Sequence, residues 1–269
     1  MKVALLGDVH LISEDDHYRN LHAKRAFFMA AWPSFRRLLQ AINDESPDLT
    51  ILLGDLVDWF SPENITFALD LVSALRSPWR MIPGNHDIEK PMGGYDQSRY
   101  VTESSRGRLQ YWESLGVELS NRAIDVNGWN LLLLDNSLSD VTDGTLEAAS
   151  SMLAPDARNL LCAHVPLDLP IIRDFILSVD PNRNLAKYVS SGAPDLYPAV
   201  ARGNVTDVFS GHLHFPGLLR HESTTFHLCG MSIGMHDPNR NQTTVAQALI
   251  VESSGGDLTR RVITAGAGP

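Results

Sequence analysis

Cysteine is nearly missing from this chain. Two residues, Cys162 and Cys229, among 269 cannot form a disulfide framework, and both read as small apolar side chains of a core. Long apolar runs are missing as well: none approaches the ~18 residues that a membrane span needs. The first strand-like run, Lys2-Val3-Ala4-Leu5-Leu6, is shorter than the apolar region of a secretory signal. The expected location is therefore the cytoplasm, with no membrane partner. Positive charge is the third deficit. Lys and Arg total 22 against 32 Asp and Glu, a formal net charge of −10. Long nucleic acid is bound through many Lys and Arg contacts to phosphates, and no basic stripe runs through the sequence, so none is expected. A small phosphorylated molecule needs only one or two local cations, and the balance leaves that open. No heptad or charge run specifies a protein partner or an oligomeric state.

What is present suits a large folded core: 43% of residues are hydrophobic and 20% charged. Strand-like runs occupy 2–6, 49–53, 79–82, 130–134, 159–163, 206–210, 225–229, 245–251 and 258–264. Those at 49–53 and 130–134 are almost wholly apolar, as strands covered on both faces are. Val126-Asn127-Gly128-Trp129 carries a tight hairpin signal. Phe35, Leu38, Leu39 and Ile42 follow Pro33 at helical spacing, and Ile65, Leu69, Val72 and Leu75 follow Ser61-Pro62 in the same way. Early strands alternate with helices and later strands lie closer together, which predicts a mixed α/β sheet system with helices outside. No repeat or linker divides the chain, so residues 1–264 read as one domain, with 265–269 a frayed tail. Three stretches, 11–26, 88–108 and 165–204, read as long loops that could form lids or binding walls.

Five short motifs carry the chemistry: Asp8-Val9-His10, Gly54-Asp55, Gly84-Asn85-His86-Asp87, His164, and Gly211-His212-Leu213-His214. Each follows an apolar run. Singly, Asp-x-His or Gly-Asp is an ordinary turn, and a lone histidine is more often structural. Together, in order, they supply carboxylate, amide and imidazole donors at strand end after strand end. Asp8 and His10, two apart on an extended chain, would share one side. A carboxylate has two oxygens, so Asp55 could bridge two ions. Two divalent ions, two aspartates and one hydroxide leave residual positive charge, which suits a phosphate ester. Mixed nitrogen and oxygen donors favour Mn, Fe, Zn, Co or Ni over Mg or Ca.

With these motifs, extended by Asp58 in Gly54-Asp55-Leu56-Val57-Asp58 and by Ala163-His164-Val165-Pro166, the chain resembles the calcineurin-like metallophosphoesterases. The resemblance spans roughly residues 7 to 214. It implies a four-layer αββα sandwich, two mixed β-sheets flanked by helices, with a dinuclear site at the strand ends. It implies that Asp8, His10, Asp55 and His214 hold one ion and that Asp55, Asn85, His164 and His212 hold the other. His86 would contact the phosphate and assist the leaving oxygen, Asp87 would orient His86, and Asp58 would tether a ligand or loop. The implied reaction is attack of a metal-bridging hydroxide on phosphorus.

Trp59-Phe60 after Asp58 departs from the Asp-Arg-Gly continuation of the Ser/Thr protein phosphatases, and no tyrosine stands where purple acid phosphatases need one. The layout is nearer the bacterial cyclic-nucleotide and glycerophosphodiester phosphodiesterases. A small phosphodiester is the expected substrate. Phosphomonoesterase and nucleotide pyrophosphatase activities on the same centre are the alternatives, and a non-catalytic scaffold the distant third. Arg19, Lys24 or Arg25 could bind a second phosphate, His17 or His22 could reach the site, Tyr95 or Trp59 could stack on a base, and an exposed Trp59-Phe60 pair could line a pocket or an interface.

Overall fold

Alternation along two strands sets the layering of the structure. This structure, a computed structural model, describes residues 1–19, 26–29, 31–89, 105–139, 143–154, 156–191, 193–236, 243–254 and 257–265. In β1 (Lys2–Leu6), Val3 and Leu5 enter one apolar cluster while Ala4 and Leu6 enter another. In β5 (Trp129–Leu134), Leu131 and Leu133 join the cluster of Val3 and Leu5, and Leu132 and Leu134 join a third. Successive side chains point to opposite faces of a strand, so the shared cluster lies between two sheets and the others lie between each sheet and its helices. Leu133, fully buried in the shared layer, contributes roughly 1.5–3 kcal/mol, and cutting it back to Ala would cost about 2–5 kcal/mol.

In the first sheet β1, β2 (Leu49–Leu52) and β3 (Trp79–Met81) run parallel. The long β11 (Thr243–Ser254) is antiparallel to β1, and β10 (Ile233–His236) and β12 (Asp257–Ala265) are antiparallel to β11. In the second, β5, β6 (Arg158–Ala163), β7 (Val205–Ser210) and β9 (Thr224–Leu228) run parallel. β4 (Arg122–Val126) and β8 (Gly217–His221) close its edges antiparallel. Both sheets are mixed. Helix α2 (Trp32–Glu45) lays Phe35, Leu38, Leu39 and Ile42 on the first sheet. Helix α3 (Pro62–Val72) starts where the Ser61 side chain accepts the Asn64 N–H at 3.0 Å, and α5 (Ser105–Ser114) adds Trp112. Helices α6 (Asp143–Met152), α7 (Pro170–Val179) and α8 (Ala193–Arg202) cover the second sheet through Ala149, Ile172, Ile176, Leu196 and Val200.

The expected strands and the four layers are observed. In the β4–β5 hairpin Val126 pairs with Trp129, and Asn127 and Gly128 both have positive φ, 54° and 81°, as a type I′ turn requires. Several expectations change. Segment 165–204 is not one loop: it holds α7, α8 and a 3₁₀ turn at Leu185–Lys187. Prolines hide both helices, Pro170 opening α7 and Pro198 lying inside α8. Segment 11–26 reaches the one-turn helix α1 (Ala26–Met29), and α5 begins inside 88–108. The short strands β4, β8 and β10 carry no run long enough to stand out. Ala265 is not frayed; it ends β12, paired with Ala246. Residues 266–269 lie outside the described residues. Trp59 and Phe60 are buried, not exposed. The Trp59 indole N–H donates to Asp16 at 3.1 Å, and Phe60 packs edge-on to Tyr111.

Candidate metal centre

Parallel strands of both sheets aim their carboxyl ends at one place. Asp8 and His10 follow β1, Asp55 follows β2, and Asn85 and His86 start the one-turn helix α4 (Asn85–Ile88) beyond β3. His164 follows β6, and His212 and His214 follow β7. The backbone turns sharply to bring them in: Asp8, His10, Asp55, His212 and His214 all have φ between 51° and 70°. That left-handed region is costly for residues other than glycine, and such strain gathers at functional sites. Asp8 and His10 therefore converge through left-handed turns, not through the extended chain that their spacing suggested. Gly54 (φ 90°) lies so close to the next loop that a Cβ would sit 2.6 Å from the Gly84 nitrogen and from His164 Nδ1.

Hydrogen bonds fix which atom each side chain offers. His10 Nδ1 lies 3.0 Å from the Asp58 carboxylate, leaving Nε2 to face inward. His164 Nδ1 donates to the Leu53 carbonyl at 2.7 Å, which again leaves Nε2. His212 is reversed: Nε2 donates to the Lys187 carbonyl at 2.8 Å, so Nδ1 is bare. A carbonyl only accepts, so the bonded nitrogen carries the proton and its neighbour keeps a lone pair. The Asn85 amide donates to Glu89 at 3.1 Å, which turns Oδ1 inward.

The inward atoms form two groups that share Asp55. Asp8, His10, Asp55 and His214 bring donor atoms within 4.8 Å of one another, as do Asp55, His164 and His212. Asp55 Oδ1 accepts the His86 N–H at 2.8 Å. Its Oδ2 lies 3.3 Å from His164 Nε2 and 3.8 Å from His10 Nε2, between the groups. Asp55 Oδ2, Asn85 Oδ1 and His164 Nε2 are buried without a hydrogen-bond partner. Buried polar atoms are normally paired, and unpaired donor atoms of this kind, two of them 3.3 Å apart, are what a cation would satisfy. A third group, His10, Asp58 and His86, is already joined by hydrogen bonds.

Protonation fits cation binding. Burial raises the pKa of Asp8 and Asp55, but His214 beside Asp8 and His164 beside Asp55 outweigh it and hold both below the usual carboxylate range. Burial holds His10 low and, with the charge of His164, takes His212 down to about 4. For His164 burial loses to the charges of Asp55 and Asp8, and the pKa rises to about 10. The two carboxylates thus favour positive charge here, and an ion held at His164 Nε2 would take the place of a proton.

His86 Nδ1 donates to the Asp58 carbonyl at 2.7 Å. Asp87 does not orient it. Its two oxygens accept four backbone N–H groups, from Gly84 and Asp55 at 2.8 Å, Leu56 at 2.9 Å and Val57 at 3.1 Å. Asp87 therefore pins the Gly54-Asp55 turn to the Gly84 turn, and Asp58 orients both His10 and His86. Of the other candidates, Arg19 donates to the Glu14 carbonyl in its own loop and does not line the cleft; His17 stacks edge-on to Tyr18. His22, Lys24, Arg25 and Tyr95 lie outside the described residues.

The donor groups open into a cleft of about 730 Å³, whose outer wall includes Leu138, Arg183, Lys187 and Tyr188. None of these four was singled out from sequence; only the position of the last three in the 165–204 stretch hinted at them. A separate apolar cavity of about 480 Å³ between the sheet edges, near Leu218 and Val262, contains none of the motif residues. Among the described residues no helix is long and apolar enough to cross a membrane.

A family model described as calcineurin-like phosphoesterase matches residues 1–216. A 3′,5′-cyclic adenosine monophosphate phosphodiesterase from Pseudomonas aeruginosa is 28% identical over 144 residues, covering 53% of this chain and 44% of that protein. A glycerophosphodiester phosphodiesterase from Enterobacter lignolyticus is 26% identical over 216 residues, covering 74% and 68%. The match thus spans less than half the length of the first relative. A dimetal phosphatase from Danio rerio has the same fold, with a TM-score of 0.59 at 14% identity over 99% of each chain. Proteins of this family bind a dinuclear divalent metal centre, and the Asp/His groups here could hold metals. By its motifs, its layers and the match over most of its length, the chain belongs to the calcineurin-like phosphoesterase family.

Proposed function

We propose that this chain hydrolyses a small phosphodiester at a two-metal centre. Asp8, His10, Asp55 and His214 would hold one ion, and Asp55, Asn85, His164 and His212 the other. The observation that carries this reading is Asp55 Oδ2, buried and unpaired between the unpaired His164 Nε2 at 3.3 Å and His10 Nε2 at 3.8 Å, the latter itself 3.0 Å from His214 Nε2. When bound, two divalent ions supply hydroxide at neutral pH and positive charge against the phosphate oxygens. The chain's own residues do the rest. His10, His164 and His212 are held in the tautomers described above, so no ligand has to reorient. His86 lines the cleft with Nδ1 already used, which leaves Nε2 for the substrate. Burial pulls its pKa down, but the charges of Asp55 and Asp58 and the Asp58 carbonyl leave it raised. A protonated His86 can donate from Nε2 to the departing oxygen, and Asp58 keeps it aimed.

The diester preference draws on the two relatives, one acting on cyclic AMP and one on glycerophosphodiesters. The test compares bis(p-nitrophenyl) phosphate with p-nitrophenyl phosphate, using protein stripped by chelation and reloaded with Mn²⁺. A higher kcat/KM on the diester that returns on reloading supports the proposal. Preference for the monoester would assign a phosphomonoesterase instead. No turnover of either ester by protein carrying two ions would point to a scaffold.

A further inference from the structure

The outer wall of the cleft holds a cation that the hydrolysis itself does not use. Arg183 precedes the 3₁₀ turn at Leu185–Lys187, and its guanidinium lies 3.8 Å from the Tyr188 ring centre and 5.7 Å from that of Phe215. Tyr188 in turn packs on His212, with ring centres 5.4 Å apart. The same turn gives His212 its Lys187 carbonyl. A continuous wall therefore runs from a histidine of the centre, through an aromatic ring, to a guanidinium. The rings fix that group in place while leaving its donors largely unspent. Nη2 reaches the Leu213 carbonyl at 3.4 Å and Nη1 lies 3.5 Å from Asp180. Both are longer than the roughly 2.7–2.9 Å of a charge-assisted bond. Nε is buried with no partner at all. Lys187 adds a second, exposed cation to the same wall. In a chain of net charge −10, this wall sets two cations beside the centre, with the Asp180 carboxylate drawing on one of them. Arginine's planar fork suits a phosphate or carboxylate, and the Tyr188 ring beneath it holds the fork in place.

We infer that Arg183, with Lys187 and Tyr188, forms a second anion subsite, so that the preferred substrate carries a further negatively charged group on the half of the molecule that extends along this wall. This rests on the phosphoesterase reading above, and it departs from a substrate with a single phosphate charge.

The test uses two chromogenic diesters that differ by one group, thymidine 5′-(p-nitrophenyl phosphate) and the same ester phosphorylated at the 3′ oxygen. The Mn²⁺-loaded wild type should show a KM at least about tenfold lower for the 3′-phosphorylated ester, with kcat within about twofold, as one charge-assisted fork provides. Arg183→Met, whose unbranched stem still covers the Tyr188 ring, should abolish that ratio, and Lys187→Met should reduce it. Calorimetric binding of thymidine 3′,5′-bisphosphate against thymidine 5′-monophosphate should show the same ratio and the same loss without turnover. Equal KM for the two esters in the wild type, or a ratio that survives in Arg183→Met, overturns the subsite while leaving the phosphodiesterase reading standing. If the loaded wild type turns over neither ester, the phosphodiesterase reading fails, and binding decides the subsite. A bisphosphate preference lost in Arg183→Met upholds it, and equal binding overturns it.

Discussion

Replacing Asp87 by Asn separates two accounts of this residue. If Asp87 oriented His86, the variant would keep its stability and its metals and lose kcat. The hydrogen bonds say otherwise. Each carboxylate oxygen accepts two backbone N–H groups, Oδ2 from Gly84 and Asp55, Oδ1 from Leu56 and Val57. An asparagine has one acceptor oxygen, so whichever way its amide lies, two buried N–H groups face an NH₂. Each unsatisfied group costs about 1–3 kcal/mol, so the loss should be roughly 2–6 kcal/mol. That is a large share of the roughly 5–15 kcal/mol by which domains are stable. At about 2–4 °C per kcal/mol for a chain of this size, Tm should fall by roughly 5–20 °C. Asp55 sits in the turn that Asp87 pins, so metal content should fall as well. The assays are thermal unfolding in chelator and elemental analysis after Mn²⁺ loading. An Asp87→Asn protein with unchanged Tm and two ions, deficient only in kcat, would refute this reasoning.

Other expectations follow from the same network. Asp58→Ala removes the acceptor of His10 Nδ1, 3.0 Å away, and should weaken metal binding about 10–100-fold, read by competition with a chromogenic chelator. Gly84→Ala places a Cβ 2.3 Å from the Asp55 backbone nitrogen and should cost about 1–3 kcal/mol in chemical denaturation. At Asp207, burial raises the pKa, but the hydrogen bonds from His227 and Arg260 and the charge of Arg260 outweigh it and leave the folded pKa low. Its contribution to stability is therefore present above the ordinary carboxylate pKa of about 3.9 and is lost as pH falls through the lower folded value. Asp207→Asn, measured in chelator, should be less stable than the wild type near neutrality, with the gap closing below that range.

What could be read from the sequence was whatever a residue's own chemistry declares. Asn127-Gly128 announced its turn because positive φ at two adjacent positions selects those residues. Leu131 to Leu134 announced a strand covered on both faces, and histidines and aspartates at strand ends announced ligands. What stayed hidden depends on backbone groups that every residue carries. Nothing in the identity of Lys187 says that its carbonyl will hold His212, and nothing in Leu56 or Val57 says that their N–H groups will claim Asp87. Trp59 looked available for a pocket because its burial depends on Asp16, Tyr18 and Phe28, none of which marks itself as a partner. Helices α7 and α8 were masked by proline at positions where a helix tolerates or absorbs it.

The central claim is that Asp55 joins two ion sites with separate remaining ligands. The most direct measurement is metal per chain by elemental analysis of the wild type and of His164→Ala, each stripped and reloaded with Mn²⁺. This account predicts two ions for the wild type and one for His164→Ala, because Asp8, His10, Asp55 and His214 remain complete. A wild type that binds fewer than two, or a His164→Ala protein that still binds two, would contradict it.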